Sequence, residues 1–367
     1  MIHADTVLVT GGLGFIGSAV VRRLIKETSS KVVVLDAMTY AAVPSAINEE
    51  TSKSDRFILE KGDIRDSDRV RSVFESHEPN LVMHLAAESH VDRSIDSPGD
   101  FIQTNIVGTF NMLQGARAFL ESQKGRRREK FRFHHISTDE VFGSLSPDAQ
   151  AFTETTRYDP RSPYSASKAA SDHLVRAWGE TFGLPVVLSN CSNNYGPWQH
   201  PEKLIPVIIT KGRDGAAMPV YGKGENVRDW LHVDDHAEAL LLIAGSGKLG
   251  ESYNVGGGAE RTNLEVVETI CTALDERFPA KAPHSDLISF VCDRPGHDFR
   301  YAIDCTKIEK ELGWRPRRAF GDGIIETVDW YLNNEPWWRD ILTSTGGGKR
   351  LGLTEETAFS KGNGGRS

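Results

Sequence analysis

Several features that mark whole classes of protein are scarce or missing in this chain. Of its 367 residues only four are cysteine, namely Cys191, Cys271, Cys292 and Cys305, widely spaced and without a Cys-x-x-Cys pair. That argues against a disulfide framework and a thiolate zinc site, and it reads as reduced cytosolic thiols. Long apolar runs are absent: the longest, around Ala239 to Ala244, is far too short to span a bilayer. Met1 to Asp5 leads directly into the short run Thr6-Val7-Leu8-Val9-Thr10, without the extended apolar core of a secretory signal. Excess positive charge is missing as well. A formal net charge of −8 argues against a broad nucleic-acid surface but leaves room for a local basic pocket. These absences point to a cytoplasmic protein with neither a membrane nor a nucleic-acid partner.

What is present is ordinary in bulk, with 39% hydrophobic and 26% charged residues. The length suits one large domain or two smaller ones sharing an interface. Val/Ile/Leu/Phe-rich runs at Thr6–Thr10, Lys31–Asp36, Arg56–Lys61, Leu81–Leu85, Phe131–Ser137 and Val186–Asn190 read as buried parallel strands. Helical patterns separate most of them, at Gly14–Lys26, Asp100–Leu120 and Pro163–Phe182. The last has clear punctuation: Ser162 to cap it, Pro163 at the first helical position, Gly183 at the stop. The alternation predicts a doubly wound α/β sheet.

Past Asn190, Pro, Gly and charged residues dominate Gly196–Asp229. The strand Glu251–Val255 and the helix Asp234–Ala244 are expected to return to the first unit, and helices at Asn263–Phe278 and Gly321–Asn333 to build a second. The expected division is 1–190 with 231–257 as a dinucleotide-binding unit and 191–230 with 258–342 as a smaller α/β substrate unit. Gln123 to Lys130 reads as a basic surface loop, and the Gly-, Ser- and Thr-rich tail 344–367 as disordered.

Gly11-Gly12-Leu13-Gly14-Phe15-Ile16-Gly17 follows the first strand and opens the first helix. Glycines there permit a tight turn and let the backbone approach a pyrophosphate at the helix N-terminus. The spacing alone is weak. The strand–loop–helix context and Asp36, 19 residues past Gly17 at the end of the second strand, make it strong. Asp36 suits the adenosine ribose hydroxyls and would repel a 2′-phosphate, which favours NAD over NADP. Asp63-Ile64, after the third strand, are placed to meet the adenine. Leu85-Ala86-Ala87, after the fourth, supply small residues where a cofactor lies close to the backbone.

Tyr164 and Lys168 are four apart on a predicted helix and so share a face. A nearby ammonium and the nicotinamide charge would stabilise a phenolate, letting Tyr164 take a proton from a sugar hydroxyl as hydride leaves its carbon. By spacing alone an exposed Tyr and Lys would be the commoner meaning; the cofactor loop upstream reverses that. Thr138 follows a strand end that should face the ligand crevice, where its hydroxyl can bond the reacting oxygen. Asp139 and Glu140 come next. A raised pKa would keep one protonated as acid while the other stays ionised as base. A loop Asp-Glu pair often merely faces water, but the strand-end position favours a site.

Over about Val7 to Trp338 these residues resemble the extended short-chain dehydrogenase/reductases, and specifically the dTDP-glucose 4,6-dehydratase family. The motifs are Thr10–Gly17, His84–Ser94, Ser137–Gly143, Pro163–Lys168, Cys191–Pro197, Pro201–Pro206, Arg228–Leu231 and Asp293–Asp298. The resemblance implies a Rossmann-like sheet with a smaller C-terminal α/β substrate unit, and an NAD that stays bound because each turnover regenerates it. It implies that Tyr164 deprotonates the glucose 4-hydroxyl as hydride passes from C4, that Glu140 removes the C5 proton, and that Asp139 protonates the departing C6 hydroxyl before hydride returns to C6. No metal is implied. Ser89, Thr138 and Asn193 are expected at the sugar or diphosphate, and Thr39, Thr104 and Asn194 at the cofactor. Lys203, Leu204, Pro219, Val220, Tyr221, Arg228, Asn263, Asp293, Arg294 and His297 are expected to hold the nucleotide. Arg228 and Arg294 suit diphosphate neutralisation. A homodimer through the helices Asp100–Leu120 and Pro163–Phe182 is also implied, and a deoxysugar product of the rhamnose type.

This sequence departs from the family at Ala37-Met38, at Phe142 in place of a common Tyr, and at Trp198-Gln199-His200; the catalytic set is intact. A related 4-epimerase would need the tyrosine but not the acid/base pair, so Asp139-Glu140 argue against it. Related decarboxylases, and dehydratases acting on CDP-, GDP- or UDP-sugars, stay open. A non-catalytic NAD-binding protein is disfavoured because all five reactive residues are present.

Overall fold

The computed structural model describes residues 2, 4–123, 125–294 and 296–344. Lys124, Pro295 and the tail beyond Ser344 lie outside the described residues. Among the described residues twelve strands occur in chain order: β1 Thr6–Thr10, β2 Lys31–Asp36, β3 Phe57–Lys61, β4 Leu81–His84, β5 Arg132–Thr138, β6 Val186–Cys191, β7 Asn193–Tyr195, β8 Met218–Tyr221, β9 Val227–His232, β10 Ser252–Val255, β11 Glu260–Thr262 and β12 Ile288–Val291. Seven form one sheet, in the order β10-β6-β5-β4-β1-β2-β3, and every pairing in it is parallel. The expected doubly wound sheet is therefore present, extended by β10.

Alternation along the strands explains why both faces are covered. Val7, Val9, Val32 and Val34 point to a core shared with the helices Phe15–Glu27 and Val233–Ser246. Leu8, Val33 and Leu35 point to the opposite core, closed by Ser67–His77, Thr109–Ser122 and Pro163–Phe182. Each such fully buried side chain contributes roughly 1.5–3 kcal/mol, so an Asp at Val33 would undo one layer.

The Pro163–Phe182 helix begins with a reciprocal capping box between Ser162 and Ser165, carries Pro163 in its first turn, and stops at Gly183 in the left-handed conformation. Local chemistry alone sets those ends.

A smaller region holds the sheet β11-β9-β7 and the pair β12-β8. It packs over the helices Leu204–Asp214, Asn263–Arg277 and Phe320–Asn333, around Ile208, Ile270 and Ile324.

Three expectations change, while the Pro-, Gly- and charge-rich segment Gly196–Asp229, left unassigned from sequence, carries a helix and two strands. Part of the basic loop, Arg126–Lys130, is a short helix. The predicted helix Asp100–Leu120 is broken into Pro98–Phe101, a π-helical stretch Ile102–Gly108, and Thr109–Ser122. The wider turn brings Asn105 inward, where its amide bonds the Glu88 backbone at both N (2.8 Å) and O (2.9 Å), and the Ser167 hydroxyl (2.8 Å). Finally, Thr138 is the last residue of β5, not the residue after it, because it still pairs in register with Cys191.

Candidate active site

Strand order reverses between β1 and β4, and a parallel sheet opens a crevice at such a point. Gly11 sits there with φ +68°, and a Cβ on it would lie 2.8 Å from the Ala86 Cα. At Gly17 a Cβ would fall 2.0 Å from the Gly11 carbonyl oxygen. Gly14 precedes the first helix as its N-cap and has no side chain to cap it. A glycine cradle ending in an uncapped helix N-terminus fits a pyrophosphate.

From the cradle a cavity of about 780 Å³ runs to the end of β5. All the residues nominated for the cofactor line it: Gly11, Gly14, Phe15, Ile16 and Gly17 at one end, then Asp36, Thr39, Asp63 and Ile64, then Leu85, Ala86, Ala87 and Thr104, then Tyr164, Lys168 and Asn194. The Asp36 carboxylate accepts the N–H groups of Leu13 (2.9 Å) and Met38 (2.8 Å), which hold it rigidly at the cavity wall. Burial raises its pKa, and these two bonds oppose the rise. Ala37 lines the same wall, while Met38 takes a left-handed φ of 54°.

Thr138, Asp139, Glu140, Tyr164 and Lys168 converge on the far end of the same cavity. The Thr138 hydroxyl donates to Asp139 Oδ1 (3.3 Å) and accepts the Glu140 N–H (3.3 Å), fixing the turn that separates the two carboxyls. Asp139 is 1% exposed, and its Oδ2 has no hydrogen-bond partner among the described residues. Burial, then the charges of Glu140 and Asp229, push its pKa well above the usual carboxylate range. Burial raises Glu140 as well, though Arg294, Arg228 and Lys203 oppose the rise. Both carboxyls are therefore shifted up, Asp139 further than Glu140, which makes Asp139 the better proton donor of the two.

Burial, then the charge of Glu140, drive the Tyr164 pKa well above its ordinary value. The Lys168 ammonium donates to the Ile136 carbonyl at 2.8 Å, and burial lowers its own pKa. The expected phenolate support counts on the nicotinamide charge as well as on this ammonium.

Of the substrate candidates, Ser89, Thr138, Asn193 and Lys203 line the cavity, and Lys203 Nζ donates to the Ser89 carbonyl at 3.3 Å. Leu204, Pro219, Val220, Tyr221, Arg228, Asn263, Asp293, Arg294 and His297 do not line it. Val220 is buried in the core of the smaller region, and its strand pairs with β12 opposite Phe290. Arg228 is engaged with the carbonyls of Val227, Asp298 and Phe299 and stacks 4.2 Å from the Tyr301 ring. Asp293 and His297 bond each other at 2.6 Å. Tyr221 and Arg294 meet on a residue not singled out from sequence, Asp92, at 3.1 and 2.8 Å. Tyr40, Arg93 and Glu202 were also missed. The Arg93 guanidinium lies 3.8 Å from the Tyr40 ring centre and is bonded to Glu202 at 3.1 Å, and all three line the cavity. Asp92, Arg93 and Glu202 fall inside motifs already quoted, which was the available signal.

Comparison with known proteins agrees with this geometry. The family model described as GDP-mannose 4,6 dehydratase matches residues 8–327. A dTDP-glucose 4,6-dehydratase of Neisseria meningitidis is 54% identical over 350 residues, covering 94% of this chain and 98% of that protein. The chain belongs to the dTDP-glucose 4,6-dehydratase family. An Escherichia coli member is 52% identical over 361 residues, covering 95% of this chain and 99% of its own length. The crystal structure of a dTDP-glucose 4,6-dehydratase from Streptomyces venezuelae, solved with NAD bound, superposes with a TM-score of 0.84 at 42% identity, covering 92% of this chain and 99% of that one. A UDP-glucose 4-epimerase of Thermus thermophilus in complex with NAD reaches 0.77 at 30% identity, covering 90% and 99%. The dehydratase family thus shares its fold with epimerases.

Proposed function

We propose that the protein is an NAD-dependent hydro-lyase that converts dTDP-glucose to dTDP-4-dehydro-6-deoxy-glucose and water. The observation that carries this reading is the split of the two carboxyls at the end of β5. Burial raises both, but Asp139, with an unpartnered oxygen, goes well above the usual carboxylate range, whereas at Glu140 three cations oppose the rise. An epimerase has no use for such a pair.

NAD, held by the glycine cradle and Asp36, supplies an acceptor for hydride from C4 and a donor of it to C6. Tyr164 takes the proton of the 4-hydroxyl, with Lys168 behind it and Thr138 orienting the oxygen. A ketone at C4 acidifies the neighbouring C5–H, and Glu140 removes that proton. Asp139 gives its proton to the departing C6 hydroxyl, which leaves as water, and C5 takes up a proton as C6 receives the hydride. Ser89, Asn193 and Lys203 position the sugar and diphosphate, and the region around Tyr221, Arg228 and Arg294 takes the nucleotide. The division into a cofactor unit (1–190, 231–257) and a substrate unit (191–230, 258–342) follows from the same reading.

The finer attributes belong to this proposal as well. The four cysteines are few and widely spaced, without a Cys-x-x-Cys pair, which suits the cytoplasm. Ile102, Phe110 and Phe182 are exposed large apolar side chains on the helices named for a dimer, and Trp178 stacks edge-on with both aromatic rings. A second copy covers them in our reading, and light scattering giving a monomer mass would remove it. The product is a 6-deoxysugar precursor of the rhamnose type. Incubation with dTDP-glucose, with UDP-glucose in parallel, tests the substrate. Loss of one water and a 4-keto product from dTDP-glucose alone is expected; turnover of UDP-glucose alone would move the substrate and keep the chemistry.

A further inference from the structure

The helix Pro163–Phe182 carries Tyr164 and Lys168 one turn apart, and one further turn on it carries Asp172. Asp172 is wholly buried, yet the reaction just described makes no use of it. An ionised carboxylate is costly in such a place unless its oxygens are satisfied. Here they are. Asp172 Oδ1 lies 3.1 Å from His135 Nε2, and Oδ2 accepts from the Ser137 hydroxyl (2.8 Å), the Tyr158 hydroxyl (2.9 Å) and the Asn190 amide (3.4 Å). Four donors from β5, β6 and the loop before the helix converge on one side chain.

The surrounding titratable groups leave Asp172 as the charged member. His135 on β5 is kept neutral by burial and then by Lys168. His84 on β4 is likewise kept neutral by burial, then by His135 and Lys168. Cys191 on β6 has its thiol pushed up to about 12 by burial. Tyr158 is raised by burial and by Asp172 itself, with Arg176 beside it one turn further along the helix. Asp172 is held below the usual carboxylate range: burial alone would raise it, and the donors of His135 and Ser137 together with the charge of Lys168 overcome that. On the cavity side Glu140 and Asp139 face Tyr164. Lys168 therefore has one carbonyl, that of Ile136, as its hydrogen-bond partner, and one buried anion behind it.

We propose that Asp172 is the counter-ion of the Tyr164–Lys168 pair: it keeps the buried Lys168 ammonium protonated and, through it, sets how readily the Tyr164 hydroxyl gives up its proton. The role rests on the assignment of Tyr164 as base. Asp172 touches neither substrate nor cofactor in this account; it is a positioning residue that acts by charge. A purely structural Asp172, tying the helix to β5, would stabilise the fold without moving any titration.

The test is the pH dependence of kcat for dTDP-glucose from about pH 5 to about pH 9, measured on NAD-loaded wild type, Asp172→Asn and Tyr158→Phe. Asn keeps the shape and removes the charge; Phe at 158 removes one donor and keeps the charge. Loss of the anion lets Lys168 shed its proton more easily, and the phenolate loses support. For Asp172→Asn we expect the acid limb to move up by about one pH unit, so that kcat below the limb falls about tenfold, with KM for the nucleotide sugar unchanged. In Tyr158→Phe the limb stays in place. If Asp172→Asn does not accumulate folded, Asp172→Ser is read in its place with the same expectation. An unmoved limb in the charge-removing variant, with only a uniform loss of kcat or melting temperature, overturns the proposal. Tyr164→Phe and Lys168→Met run alongside: normal turnover in those would remove the base assignment itself, whereas their loss of turnover with an unmoved Asp172→Asn limb removes only the counter-ion role.

Discussion

Replacing Gly17 by alanine tests the cradle, and its consequence follows from three distances. The added Cβ would lie 2.0 Å from the Gly11 carbonyl oxygen and 2.9 Å from both Gly11 C and Gly12 Cα. An ordinary carbon–oxygen contact is about 3.4 Å, so the loop must open by roughly 1.4 Å. Every atom in the way is backbone, and no side-chain rotation relieves the clash. Retreat is blocked too, because the Gly11 N–H is bonded to the Leu35 carbonyl at 2.9 Å and Gly11 packs against Ala86. Overpacking of this kind costs about 1–3 kcal/mol, equivalent to a roughly 5- to 150-fold loss of NAD affinity if it falls on the bound state. Gly321→Ala, in the smaller region, is the control: an added Cβ there meets nothing within 4 Å. That change should leave NAD affinity untouched. The assay is the NAD retained through purification, followed by titration of the stripped protein with NAD. Wild-type affinity in Gly17→Ala, or an equal loss in Gly321→Ala, would refute the steric argument.

Asp139→Asn and Glu140→Gln should each leave NAD binding intact and lower dehydration by about 10²- to 10⁴-fold; near-normal turnover in both, followed by product NMR, would remove the acid/base assignment. Because the pKa of Asp139 is raised, its donor form is lost as pH rises through that pKa, so wild-type kcat should fall on the alkaline side, and a flat alkaline profile would speak against a neutral Asp139. Stability should fall in mild acid. His134 and His236 are fully buried with pKa values lowered to about 3 by burial, so below about 6.5 the unfolded chain binds protons that the folded one refuses, a loss of about 2 kcal/mol per histidine at pH 5. His236→Asn should make the acid slope of thermal stability shallower, and an unchanged slope would count against the buried neutral imidazole. Asp92→Asn removes the carboxylate shared by Arg294 and Tyr221 and should cost about 2–3 kcal/mol of stability. It should also raise KM for the nucleotide sugar; wild-type melting and KM together would show that the clamp is idle.

The parts of this molecule readable from sequence are those set by neighbours along the chain. The glycine loop sits between a strand and a helix whose ends are fixed by local chemistry, and Ser162, Pro163 and Gly183 bracket the catalytic helix for the same reason. Thr138 to Glu140 were readable because a strand end in a parallel sheet has a known direction. What stayed hidden depends on partners far away in sequence. The three-residue strands β7 and β11 carry too little pattern of their own and exist because β9 lies between them. Strand β8 pairs with β12 across the whole Asn263–Arg277 helix. The π stretch around Asn105 answers to Glu88 and Ser167, which no helical periodicity reports. Lys168 was expected to support a Tyr164 phenolate; that its ammonium donates a hydrogen bond to the Ile136 carbonyl, supplied by β5, was not legible. Asp92 stood in sequence only as a member of the His84–Ser94 motif, because its partners Tyr221 and Arg294 come from the smaller region.

The central claim is that one carboxyl at the end of β5 exchanges the C5 proton while its neighbour expels the C6 oxygen. Turnover of dTDP-glucose in deuterated water, read by mass spectrometry and NMR, tests it most directly, with Glu140→Gln run beside the wild type. The account predicts loss of one water, a 4-keto product and deuterium at C5 from the wild type, and none of these at a comparable rate from the variant. A product epimerised at C4 with C6 still hydroxylated, or a dehydrated product without deuterium at C5, would contradict it.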